Sequence, residues 1–124
     1  MDRKELQNAV FPDCPIRNVL SRFTDKWTLL VLYTLEQKGT LRFNDLHRGI
    51  PDISQKMLTI TLKSLTDDGF LKRTLYPAVP PKVEYELTER ARSVMPHLDA
   101  LLEWSILHFD EILSDRKRNN AVKQ

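Results

Sequence analysis

The pattern of apolar positions along this chain marks five helical segments and two strands. Ile16, Val19, Leu20 and Phe23 fall at i, i+3, i+4 and i+7, one stripe of a helix. Cys14-Pro15 precedes them, and proline suits a first helical position because its missing N–H has no intrahelical partner there. A second helix is predicted over residues 26–37, capped by Thr24-Asp25 and stopped by Lys38-Gly39. Residues 27–35 are apolar nearly all round, so this helix is expected to be the buried centre. A short helix fits residues 43–48, with Phe43, Leu46 and Ile50 inward and Gly49 and Pro51 ending it. Ser54 then caps a helix through residue 68, with Leu58, Leu62 and Leu65 inward and Gly69 terminating it.

The period changes at Leu71. Residues 71–76 and 83–87 read as strands, and Val83, Tyr85 and Leu87 alternate with Glu84 and Glu86. Pro77, Pro80 and Pro81 leave a stiff tip between them. Placing Leu75 against Val83 sets Lys72 opposite Glu86. Thr88 caps a long last helix. It carries Val94, Leu98, Leu101, Leu102, Trp104, Ile106, Phe109, Ile112 and Leu113, with Pro96 expected to kink it.

The expected organisation is an arm over residues 1–13, one domain over 14–113, and a flexible polar tail over 114–124. The fold class is mainly α with a small β-hairpin: a winged helix-turn-helix. Residues 43–68 form the two-helix unit and 71–87 the wing. At 124 residues there is room for one core. No apolar run approaches the ~20 residues of a membrane span. The first residues lack the apolar stretch of a secretory signal. No membrane partner and a cytoplasmic location are expected.

Charge matters by place, not by total. The net charge is only +2, from 19 Lys and Arg against 17 Asp and Glu. Yet residues 54–66 contain no acid. A helix with such a face fits the major groove of a duplex. Its outward candidates are Ser54, Gln55, Lys56, Thr59, Ile60 and Lys63. Gln55 suits adenine, Lys56 guanine or phosphate, and Thr59 and Ile60 a thymine methyl. Arg42, Lys72, Arg73 and Lys82 are candidates for phosphate contacts, which orient a protein without reading sequence. The alternative class is a winged helix that contacts another protein instead of DNA.

Several segments resemble the HxlR-type regulators, a cysteine-bearing branch near the MarR family. They are Cys14-Pro15, Lys26-Trp27-Thr28-Leu29-Leu30-Val31-Leu32, Leu41-Arg42-Phe43-Asn44-Asp45-Leu46 and Ile53-Ser54-Gln55-Lys56-Met57-Leu58-Thr59. Leu62-Lys63-Ser64-Leu65, Asp68-Gly69 and the wing from Val79-Pro80-Pro81 to Thr88 complete the match. The departure is Arg90-Ala91, where the family usually has a glycine. The resemblance implies a homodimeric transcriptional regulator, often a repressor, on near-palindromic operators. It implies pairing through the first and last helices, with Ile16, Leu20, Leu98, Leu102 and Phe109 as candidate contacts. The breadth of the last helix's apolar stripe points the same way.

Cys14 is the only cysteine, so no internal disulfide exists. A helix N-terminus stabilises a thiolate, the form that reacts with oxidants and electrophiles. Many members of the resembling family sense such reagents at the matching position. The competing reading is a small buried hydrophobe. If Cys14 reacts, the product is an intersubunit bond, a mixed disulfide or an alkylated thiol.

No enzyme, cofactor or metal site is expected. His47, His97 and His108 are scattered, and no His-x-x-x-His pair occurs. Trp27, Tyr85 and Trp104 are either the lining of a ligand cavity or ordinary packing. No role follows for His47.

Overall fold

The computed structural model describes residues 2–8, 18–23 and 25–122. A short helix α1, Arg3–Asn8, lies within the expected arm. Cys14 and Ile16 lie outside the described residues, as does Thr24. A 3-10 turn, Leu20–Phe23, brings Phe23 edge-on to Phe70 at 5.0 Å between centroids.

Helix α2, Lys26–Lys38, starts where Asp25 accepts a 2.8 Å hydrogen bond from the Thr28 N–H. It packs on every other layer of the domain. Val31 and Leu32 are wholly buried. The expectation of a helix buried all round needs correction, because Leu30 and Tyr33 open to solvent on its far side. Hydrophobicity alone does not distinguish a face that meets the core from one that meets nothing in this chain.

Leu41–Arg42 form a two-residue strand β1, which runs directly into helix α3, Phe43–Gly49. After a turn comes helix α4, Gln55–Asp67, whose Leu58, Thr61, Leu62 and Leu65 point inward. Strands β2, Leu71–Tyr76, and β3, Lys82–Leu87, follow. The register sets Leu75 against Val83 and Lys72 against Glu86, as the alternation predicts. The wing is not a bare hairpin, however. β1 pairs with β3 through Leu41↔Tyr85 and Arg42↔Glu84, making an antiparallel sheet ordered β1-β3-β2. A two-residue strand has too few positions to show a period of two.

Gly69 at φ +80° turns the chain from α4 into β2, a left-handed conformation that L side chains rarely adopt. Around it, the Thr88 hydroxyl donates to the Gly69 carbonyl at 2.7 Å and the Arg90 guanidinium donates to the Asp68 carbonyl at 2.7 Å. Thr88 also caps helix α5, Glu89–Val122, accepting from the Ala91 N–H at 3.3 Å. The Arg90-Ala91 departure therefore leaves the helix start intact, with Ala91 fully buried.

Helix α5 runs unbroken through Pro96 to Val122. The tail expected from residue 114 is helical as far as it is described. Beyond Ser114 no glycine or proline stops the helix, and Arg and Lys are good helix formers. The core combines α2, α3 and α4 with the sheet and only the first third of α5, through Ala91, Met95 and Leu98.

Candidate nucleic-acid interface

The local sequence sets the direction of α4. Ser54 is extended, and its Oγ accepts from the Met57 N–H at 3.0 Å. Capping satisfies a helix-end donor and fixes where the helix begins. With Leu58, Leu62 and Leu65 packed on α2, the opposite stripe must face water. Ser54, Gln55, Lys56, Thr59, Ile60 and Lys63 are all exposed. The Thr59 hydroxyl donates to the Gln55 carbonyl at 2.9 Å, leaving its methyl available outward. Ile60 is half exposed, leaving part of an aliphatic side chain open to solvent on this face.

The cations fall into two groups. Arg42, Lys56 and Arg73 pair with no carboxylate among the described residues. Lys63, Lys72 and Lys82 each have an internal partner. Lys63 meets Asp67 at 2.7 Å, one turn along α4. Hydrogen bonding to Asp67, reinforced by its charge, holds the Lys63 ammonium above its ordinary value. Lys72 reaches Glu86 at 3.8 Å, and Lys82 reaches Glu84 at 2.6 Å. Lys82 also lies over the Tyr76 ring, 4.9 Å from its centroid. These pairs are partly or largely exposed and screened by solvent, weak enough for an incoming anion to replace them.

The sheet divides its cations as well. Successive side chains of a strand point to opposite faces. Arg73 shares a face with buried Leu71 and lines one groove with Thr59, Lys63, Asp67 and Tyr85, beside α4. Lys72 and Lys82 lie on the other face with Glu84 and Glu86. The spacing already sets Lys72 opposite Glu86; the Lys82–Glu84 pair on the same face is added by the structure. The alternation of Glu84 and Glu86 was visible, but not the β1 partner that fixes which way they turn.

The candidate pairing residues also separate. Leu98 is 8% exposed and belongs to this chain's own core, so it offers nothing to a second copy. Leu20 and Phe109 are more than half exposed, and Leu102 is half-buried. Trp27, Tyr85 and Trp104 are not gathered into one cavity. Tyr85 lines the groove beside α4, Trp27 lies near Met57 and Ile60, and Trp104 stacks on His108 at 4.6 Å.

A capped helix with no acid before its last residue, braced by a shorter one and flanked by a wing, is one half of the comparison with known proteins. The other is sequence. The profile of the HxlR-like helix-turn-helix family matches residues 22–112. The chain belongs to this family. Among HxlR-like relatives, the HTH-type transcriptional regulator YtfH of Escherichia coli (strain K12) is 43% identical over 114 residues, covering 92% of this chain and 90% of that one. A solved structure of the transcriptional regulator ytfH from Salmonella typhimurium superposes with a TM-score of 0.76 at 43% identity, covering 85% of this chain and 93% of that one. The redox regulator HypR in its reduced form gives 0.74 at 38% identity, covering 81% and 98%. This HxlR-like chain is thus a transcriptional regulator of the helix-turn-helix type with a winged-helix fold. No described helix is long and apolar enough to cross a membrane.

Proposed function

We propose that this regulator binds double-stranded operator DNA as a homodimer and represses transcription, with Cys14 as a thiol input. The observation that carries the reading is the leading face of α4. Gln55, Lys56, Thr59 and Ile60 stand exposed there, with no acid until Asp67. Those side chains offer an amide, a cation and two methyl-bearing groups, a set suited to base edges. The positive end of the helix favours a nearby phosphate.

The homodimer is supported by α5. Leu101, Trp104, Ile106, Leu107, Phe109 and Ile112 are exposed along it, and large apolar side chains exposed in that number favour an interface. A twofold dimer presents two copies of α4 to two half-sites, which matches a near-palindromic operator. The thiol input rests on Cys14 at the predicted N-terminus of the first helix and on the likeness to HypR, a redox regulator.

The test is recovery of bound genomic fragments, followed by titration of the recovered duplex across a salt series, with and without diamide. Tight binding that falls steeply with salt is expected. Cys14→Ser should leave that binding intact and abolish the diamide response. Retention of no duplex at any salt would return the domain to the protein-contact class. A Cys14→Ser variant that still responds would remove the thiol from the mechanism.

A further inference from the structure

His47 is the only histidine in the helix-turn-helix, and base reading by α4 gives it nothing to do. The structure does. Its Nε2 lies 2.8 Å from the carbonyl oxygen of Ile53. A carbonyl only accepts, so Nε2 carries the hydrogen and donates. The bond leaves the last turn of α3 and ends on the residue immediately before the Ser54 cap of α4. Ile53 itself is anchored, with its side chain 2% exposed.

Other bonds shape the same turn. The Ile50 N–H donates to the Leu46 and His47 carbonyls at 3.1 and 3.3 Å, and the Ile53 N–H donates to the Ile50 carbonyl at 3.2 Å. All of these join backbone to backbone. Among the described residues, His47 supplies the only side-chain hydrogen bond from α3 to the residues leading into α4. The imidazole is in turn flanked by Phe43, 6.2 Å away between ring centroids. A partly buried carbonyl left without a donor costs more than an ordinary hydrogen bond contributes, so the peptide would rotate to find another.

Rotation of the Ile53 peptide moves Ser54, and with it Gln55 and Lys56 at the leading edge of α4. We infer that His47 is a positioning residue, whose bond to the Ile53 carbonyl sets the angle at which that edge enters a duplex. The inference rests on the DNA reading proposed above. It predicts a loss of discrimination without a loss of phosphate attraction, because His47 itself faces the turn.

The experiment measures the duplex preferred by the wild type against a random duplex, at several salt concentrations, for His47→Ala and His47→Gln. A glutamine amide can reach the same carbonyl and donate to it. His47→Ala should weaken the preferred duplex about 5–10-fold, the effect of one hydrogen bond, and leave the random duplex and the salt slope unchanged. His47→Gln should recover most of the loss. Hydrogen exchange at the amides of residues 54–58 should quicken in His47→Ala alone. If His47→Ala melts below the assay temperature, His47→Gln is compared with His47→Leu, which fills the space without a donor. Equal affinity in donor and non-donor variants overturns the inference, as does a parallel loss on both duplexes. A wild type that prefers no duplex overturns the DNA reading as a whole, whereas unaffected variants overturn the role of His47 alone.

Discussion

Lys63 and Lys56 stand two turns apart on one helix and differ in what they already hold. Lys56 pairs with no carboxylate among the described residues, whereas Lys63 is bonded to Asp67 at 2.7 Å. Replacing Asp67 with Asn should release Lys63 and raise affinity for any duplex, specific or random, with a steeper salt dependence. Lys56→Ala and Gln55→Ala should weaken the preferred duplex by roughly 1–3 kcal/mol more than a random one, whereas Lys82→Ala should weaken both alike and modestly. Filter binding or anisotropy on the two duplexes distinguishes these. Most of this site was legible in the chain. The Ser54 cap, the inward leucines and the outward stripe all follow from spacing over one helix. The Lys63–Asp67 pair is legible too, at i and i+4. The His47 bond was not legible, because it depends on how a four-residue turn folds back, and no periodicity encodes that.

At the scale of elements, the junction of α2 with α5 carries a proton-sensitive pair. Burial, then a hydrogen bond with Asp99 and its charge, push the Glu36 carboxyl above its ordinary 4.5. One oxygen of Asp99, Oδ1, is buried without a hydrogen-bond partner among the described residues. A group whose folded value is raised binds its proton more tightly when folded. Its contribution is therefore fully present below 4.5 and is lost as pH rises through the folded value. Glu36→Gln should flatten this part of the stability profile and leave the variant more stable than wild type at neutral pH, as read by urea unfolding at pH 4, 6 and 8. Helices α2, α3 and α4 and strands β2 and β3 end within one residue of where their spacing predicts. The two-residue β1 was not legible, and its absence turned a three-stranded sheet into a hairpin on paper. Helix α5 overran its expected end at residue 113 because polarity was taken for disorder, although the residues beyond are competent helix formers.

For the whole molecule, the division of α5 into two parts decides which substitutions unfold the chain and, in the proposed homodimer, which separate its copies. Leu98→Ala should cost about 2–5 kcal/mol of stability, since it opens a cavity in the domain core. Phe109→Asp or Leu107→Asp should leave the secondary structure intact and shift the molecule to half its mass in sedimentation. The chain could not announce that difference, because Leu98 and Phe109 occupy the same kind of position in the same apolar pattern. At about 1.5 Å per residue, the 34 residues of α5 extend some 50 Å, well past the body that its first third helps to build. In the proposed homodimer, such a helix ties thermal resistance to protein concentration. The copy that shelters it would be recruited by mass action, so each tenfold dilution should lower the melting temperature, and a regulator scarce in its cell would be softer than the same regulator in a test tube.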